Sequence, residues 1–140
     1  MPTWILFALL SAIFASLVAV FGKIGIKNID STLATTVRAV IMAGFLVVTS
    51  FFLGKADLLK TIDNKALLFI ALSGIAGALS WLFYFFAIKN GPVSGVAALD
   101  RLSVVFVLVF AILILGDHFT WKSGVGATLL TIGAILMSIK

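Results

Sequence analysis

Apolar residues run through this chain in five long stretches, 3–21, 31–53, 66–88, 93–115 and 121–139, separated by short polar intervals. Each is roughly 19–23 residues, the length a helix needs to cross a hydrocarbon core ~30 Å thick. The pattern predicts an all-α, polytopic membrane protein: one transmembrane domain over residues 1–140 with five spanning helices. Asp30 or Ser31 is placed to cap the second span. Asn90-Gly91-Pro92 reads as a stop between the third and fourth, with Gly suited to a left-handed cap and Pro unable to continue the preceding helix. Small residues recur at helical spacing in the first span (Ala8, Ala12, Ala15, Ala19, Gly22) and the fifth (Ser123, Ala127, Thr131, Ala134, Ser138). Such stripes let helices approach closely in lipid.

Composition narrows the function classes. The 140 residues are 63% hydrophobic and 11% charged, against about half and a quarter in soluble domains, so there is almost no room for a soluble domain. The chain has no Cys, no Glu and one His, which excludes disulfides, thiolate chemistry and Cys-type metal sites. No P-loop or other cofactor pattern is present, and no nucleophile–base or metal constellation suggests an enzyme. In a soluble protein the net charge of +5 would favour nucleic acid. Here the lysines lie mostly at span ends, where the expected partner is the bilayer and its anionic headgroups rather than nucleic acid. Asp117 and His118 read as a solvated loop pair.

Charges inside the spans carry the candidate chemistry. Asp100 and Arg101 sit one third of the way into the fourth apolar run, and Arg38 lies on one face of the second with Ser31, Thr35, Met42 and Thr49. A charge at such depth costs ~2.5–3.5 kcal/mol on insertion scales, so these side chains are expected to face protein or water; for Arg38, snorkelling to the interface is the alternative. The second and fourth spans start from the same side. Arg38 is seven residues from Ser31 and Asp100 seven from Val93, which places both roughly 10 Å in. The third span ends on that side, adding Ser80, Trp81 and Tyr84, and the fifth adds Thr131. One polar layer is expected from Arg38, Asp100, Arg101, Ser80, Trp81, Tyr84 and Thr131. Pairing of Arg38 with Asp100 would leave Arg101 as a net positive charge, favouring an anionic or zwitterionic solute.

Orientation is balanced. Lys55, Lys60, Lys65 and Lys122 fall on one side, and Lys23, Lys27, Lys89 and Lys140 on the other. By the positive-inside rule neither orientation is preferred, which leaves open an antiparallel homodimer that would reproduce an inverted repeat.

Several segments together resemble the EamA domain of the drug/metabolite transporter superfamily: Thr36-Val37-Arg38-Ala39 in the second span, then Tyr84, Ala87, Lys89-Asn90-Gly91-Pro92 and Gly95-Val96-Ala97-Ala98-Leu99, then Leu115-Gly116-Asp117-His118-Phe119-Thr120, and finally Gly124, Gly126 and Gly133. Leu99-Asp100-Arg101 stands where the family usually reads Leu-Glu-Pro, and Asp117 where it usually has Glu. The resemblance implies a five-helix half-transporter that pairs with an inverted copy or a partner into ten helices. It also implies secondary, non-ATP transport of a small metabolite or drug across the cell (plasma or inner) membrane. Small multidrug transporters of that superfamily use an intramembrane Glu for proton exchange; this chain offers only Asp100. The competing reading is a non-transporting membrane subunit of a larger complex, or a small multidrug-type exporter partner in a hetero-complex.

Overall fold

A computed structural model of the chain describes residues 2–139. It is helical throughout: α1 (Thr3–Gly25), α2 (Ser31–Phe52), α3 (Asn64–Asn90), α4 (Val93–Asp100), α5 (Ser103–Phe110) and α6 (Trp121–Ser138). A 3₁₀ segment, Ala56–Thr61, joins α2 to α3, and α5 runs into a π-helical turn, Ala111–Leu115. Among the described residues there is no strand. α1, α2, α3 and the run Val93–Leu115 are each long and apolar enough to cross a membrane. α6 has 18 residues and opens on Trp121, Lys122 and Ser123, so its apolar length is shorter than that of the others.

Most large apolar side chains are exposed, and the buried apolar residues of the described chain are Ala19, Ile26, Phe85, Ile88 and Ala134. That distribution suits a chain whose solvent is lipid, where burying apolar surface between helices brings no hydrophobic gain and close packing of small residues takes its place.

The chain forms two compact units, one comprising Ile24–Lys89 and the other the segments before and after it. In the Ile24–Lys89 unit, Asp30 is the cap of α2: its Oδ1 accepts from the Leu33 backbone N–H at 3.0 Å. That backbone donor, helped by contacts with Thr32 and by the charge of Lys89, holds the Asp30 carboxyl below its ordinary pKa. Lys89 Nζ donates to the Ile29 carbonyl at 2.8 Å, so the end of α3 lies beside the start of α2 and the two helices run antiparallel. Asp63 Oδ1 caps α3 through the Ala66 N–H at 2.8 Å.

In the other unit, Lys23 Nζ donates to the Gly91 carbonyl at 3.1 Å, tying the end of α1 to the start of α4. Lys23 and Lys89 thus hold loop carbonyls, where the sequence pointed to lipid headgroups. Gly91 is not in the left-handed region, which among the described residues is occupied by Gly54 and Gly116. The stop at Asn90-Gly91-Pro92 comes from Pro92, whose extended backbone (φ −70°, ψ 135°) starts α4 and whose carbonyl accepts from Val96 N–H at 3.0 Å.

α4 packs antiparallel on α6. A Cβ built on Gly95 would stand 3.3 Å from the Met137 carbonyl oxygen and 3.4 Å from Ser138 Cα, so two backbones meet there. The α6 stripe Ser123, Ala127, Thr131, Ala134 and Ser138 is half-buried or buried along its whole length, which makes it a packing face. In α1 only Ala19 of the corresponding stripe is buried. Thr120 and Ser123 form a capping box at the start of α6, and the Phe119 ring covers Gly124 so closely that a Cβ there would come within 2.6 Å of it. Gly116, at φ 72°, ends the π turn, with its own N–H and that of Asp117 directed at the Ala111 carbonyl.

Candidate functional site

In the Ile24–Lys89 unit, three of the expected residues come together. Arg38, eight residues into α2, places its guanidinium carbon 3.6 Å from the centroid of the Trp81 ring and 5.5 Å from that of Phe85. Trp81 and Tyr84 meet edge to face at 5.6 Å, and Phe85 lies 6.0 Å from Trp81 and 6.2 Å from Tyr84. A cation over an indole face is held electrostatically, by ~2 kcal/mol or more where water is excluded. Phe85 is buried and anchors the cluster. The sequence reading missed Phe85; its signal was the i, i+4 spacing from Trp81, which puts both rings on one helix face. Ser80 is exposed and stands outside this cluster of rings.

The hydroxyls on the Arg38 face of α2 do not form a polar lining. Thr35 Oγ1 donates to the Ser31 carbonyl at 2.7 Å and Thr49 Oγ1 to the Phe45 carbonyl at 2.8 Å. Both are satisfied within their own helix, as apolar surroundings require. Near the far end of α2, Val48, Phe51 and Phe52 line an open cavity of about 340 Å³. It has no charged group to orient a solute.

The other unit holds the second group. The fourth apolar run was expected as one continuous helix, but it is interrupted: α4 ends at Asp100 and α5 begins at Ser103. Through the interruption the backbone bonds tighten to i→i−3, with Arg101 N–H on the Ala98 carbonyl (3.1 Å), Leu102 on Leu99 (2.9 Å), Val104 on Arg101 (3.1 Å) and Val105 on Leu102 (2.9 Å). The carbonyls of Ala97 and Asp100, which a continuous α-helix would pair with Arg101 and Val104, are passed over by those donors. Asp100 and Arg101 are both exposed, and neither side chain makes a hydrogen bond or ion pair among the described residues. Thr131, half-buried on α6, donates its Oγ1 to the Ala127 carbonyl at 2.8 Å, so its hydroxyl hydrogen is committed within α6.

A proline would ordinarily be invoked for such a break, and position 101 carries Arg instead. The tightened turn falls on the two charges. Irregular backbone at membrane depth is tolerated where protein covers it or a water-filled cavity meets it.

Comparison with known proteins places the chain in a family. The model of the EamA-like transporter family matches residues 2–139. A protein of Sinorhizobium sp named as an uncharacterized transporter in the cobO 3′ region is 39% identical over 137 residues, covering 98% of this chain and 97% of that protein. No solved structure gives a significant match.

Proposed function

We propose that this chain, which belongs to the EamA-like transporter family, is a secondary transporter that moves a small metabolite or drug by alternating access, without ATP, as an antiparallel homodimer in the cell membrane. Its membership and its membrane-spanning helices make it a multi-pass membrane protein of the transporter type. The observation that carries the finer reading is the interruption of the fourth apolar run at Asp100, Arg101 and Leu102. Two passed-over carbonyls and two charges lie together in a segment whose flanks are apolar, and transporters build solute and ion sites from such discontinuous helices. A lipid-facing helix has no use for two charges there, because a charge at such depth costs ~2.5–3.5 kcal/mol on insertion scales.

The assignment of roles follows from chemistry. Asp100 is the carboxylate within a candidate span, so it is the residue able to exchange a proton or hold a cationic group. Arg38 and Arg101 are the candidate anion contacts. Trp81 and Tyr84 would wall the solute beside Arg38, and Ser80 and Thr131 are the remaining cavity candidates. An inverted second copy would supply cover for the exposed Asp100 and Arg101.

The test begins with thermal stabilisation of the purified protein across a metabolite library, because a ligand that binds the folded state raises its stability. Stabilising compounds then go into counterflow with the wild type and Asp100→Asn. The expected result is flux in the wild type and none in Asp100→Asn at unchanged expression and oligomeric state. A ligand that stabilises the protein but never crosses the membrane would make it a binding subunit instead.

A further inference from the structure

Arg38 has a feature that its position in the sequence does not disclose. A guanidinium carries five N–H donors and stays charged throughout the accessible pH range. Here none of those donors meets a protein acceptor among the described residues. What holds the group is the face of Trp81 at 3.6 Å, backed by Phe85. A ring face attracts the positive charge but offers no oxygen to the N–H fork. The donors are thus held in place by rigid aromatic groups and left unspent, about 10 Å inside the start of α2 at 1.5 Å per residue.

We propose that Arg38, stacked on Trp81, is a subsite for the carboxylate of a monoanionic solute. Three observations select that class. The guanidinium fork matches a planar two-oxygen acceptor bidentately. Within α2 and through residues 66–88 of α3, Arg38 is the only charged side chain, so a single negative charge neutralises it, whereas a doubly charged phosphate would bring one desolvated charge in excess. Trp81, Tyr84 and Phe85 lie together beside the cation, so the apolar body of a carboxylic acid has a wall to lie against. This deepens the transporter reading and rests on it for the solute's access to the membrane interior.

The indole itself reports on the site. The chain has three tryptophans, and Trp4 and Trp121 are exposed at span ends. In the full chain carrying Trp4→Phe and Trp121→Phe, purified in dodecyl maltoside, Trp81 is the sole tryptophan. Titration with propionate should change its emission saturably, and propionamide, of nearly the same shape but uncharged, should not. Arg38→Gln should abolish the response. Arg38→Lys, which keeps the charge but loses the fork and the stack, should weaken apparent affinity about tenfold or more.

Equal responses to propionate and propionamide, or a propionate response that survives in Arg38→Gln, would overturn the proposal. So would a response to phosphatidylglycerol with none to propionate, which would make Arg38 a lipid-headgroup contact. A propionate response that emerges only in Asp100→Asn would assign Arg38 to Asp100 and overturn it as well. Carboxylate flux unaffected by Arg38→Gln would sink the subsite and leave the transporter standing. Propionate binding without flux of any solute would do the reverse.

Discussion

Replacing Gly95 by Ala puts one methyl group where α4 meets α6. The new Cβ would lie 3.2 Å from Pro92 Cγ, 3.3 Å from the Met137 carbonyl oxygen and 3.4 Å from Ser138 Cα. None of the three is the far end of a flexible side chain: one is a ring whose φ is fixed, and two are backbone. Relief therefore requires α4 to move off α6 by a few tenths of an ångström. Overpacking of this kind costs ~1–3 kcal/mol. Ala is favoured over Gly within a helix by ~0.5–1 kcal/mol, so the net loss lies between about zero and about 2.5 kcal/mol, and the deficit against an Ala placed in open space is the full ~1–3 kcal/mol. Gly126 and Gly133 on α6 are the controls, since a Cβ at either meets no atom within 4 Å. In a monomeric detergent preparation their Ala variants should match or exceed the wild type. Reversible unfolding in mixed micelles, followed by far-UV circular dichroism, measures all three. If Gly95→Ala proves as stable as Gly126→Ala, the close approach of α4 to α6 is not a packing contact and the reasoning fails.

Three further outcomes follow from other parts of the chain. Gly116→Ala forces a Cβ into the left-handed backbone (φ 72°) and should cost ~1–2 kcal/mol in the same unfolding experiment, whereas Ala at Gly126 should not. Because the folded Asp30 carboxyl titrates below its ordinary value of 3.8, it stabilises the protein fully above that pH and loses the contribution as pH falls through the lowered folded-state pKa; Asp30→Asn should flatten the stability profile on that acid side and leave the neutral side parallel to wild type. With no native cysteine, a single Lys60→Cys can be labelled from outside intact cells by an impermeant maleimide; dual insertion predicts labelling of about half the molecules, and uniform or absent labelling would remove the antiparallel homodimer.

What the sequence disclosed, and what it hid, follows from where the information lies. Helices α1 to α3 were legible because apolar length alone specifies a span, whereas the cap of α2 was narrowed only to Asp30 or Ser31, and the bond from the Leu33 N–H to Asp30 decides between them. The break after Asp100 was not legible. Neither Gly nor Pro occurs at 101 or 102, and both residues there keep right-handed helical dihedrals, so the change lies in hydrogen-bond register rather than in any breaker residue. The two adjacent charges were its only trace. Arg38 stands out by its depth and Trp81 by its place near the end of the third span, yet their 3.6 Å contact belongs to the packing of α2 on α3, which no local pattern encodes. Lys23 and Lys89 looked like headgroup ligands because helix-end lysines usually are; the carbonyls they hold lie 68 and 60 residues away in the chain. Gly95 and Gly124 owe their small size to the Met137–Ser138 backbone and to Phe119, neighbours visible only once the helices are packed.

The central claim is that this chain alone moves a solute across a bilayer. Liposomes containing the purified protein and no other, without ATP, preloaded with an excess of a stabilising unlabelled solute, provide the direct measurement through uptake of the same labelled solute. The account predicts transient, saturable accumulation above the level in empty liposomes, and its loss in Asp100→Asn. Accumulation no greater than in empty liposomes, from protein shown to be folded and inserted, for every solute that stabilises it, would contradict the claim.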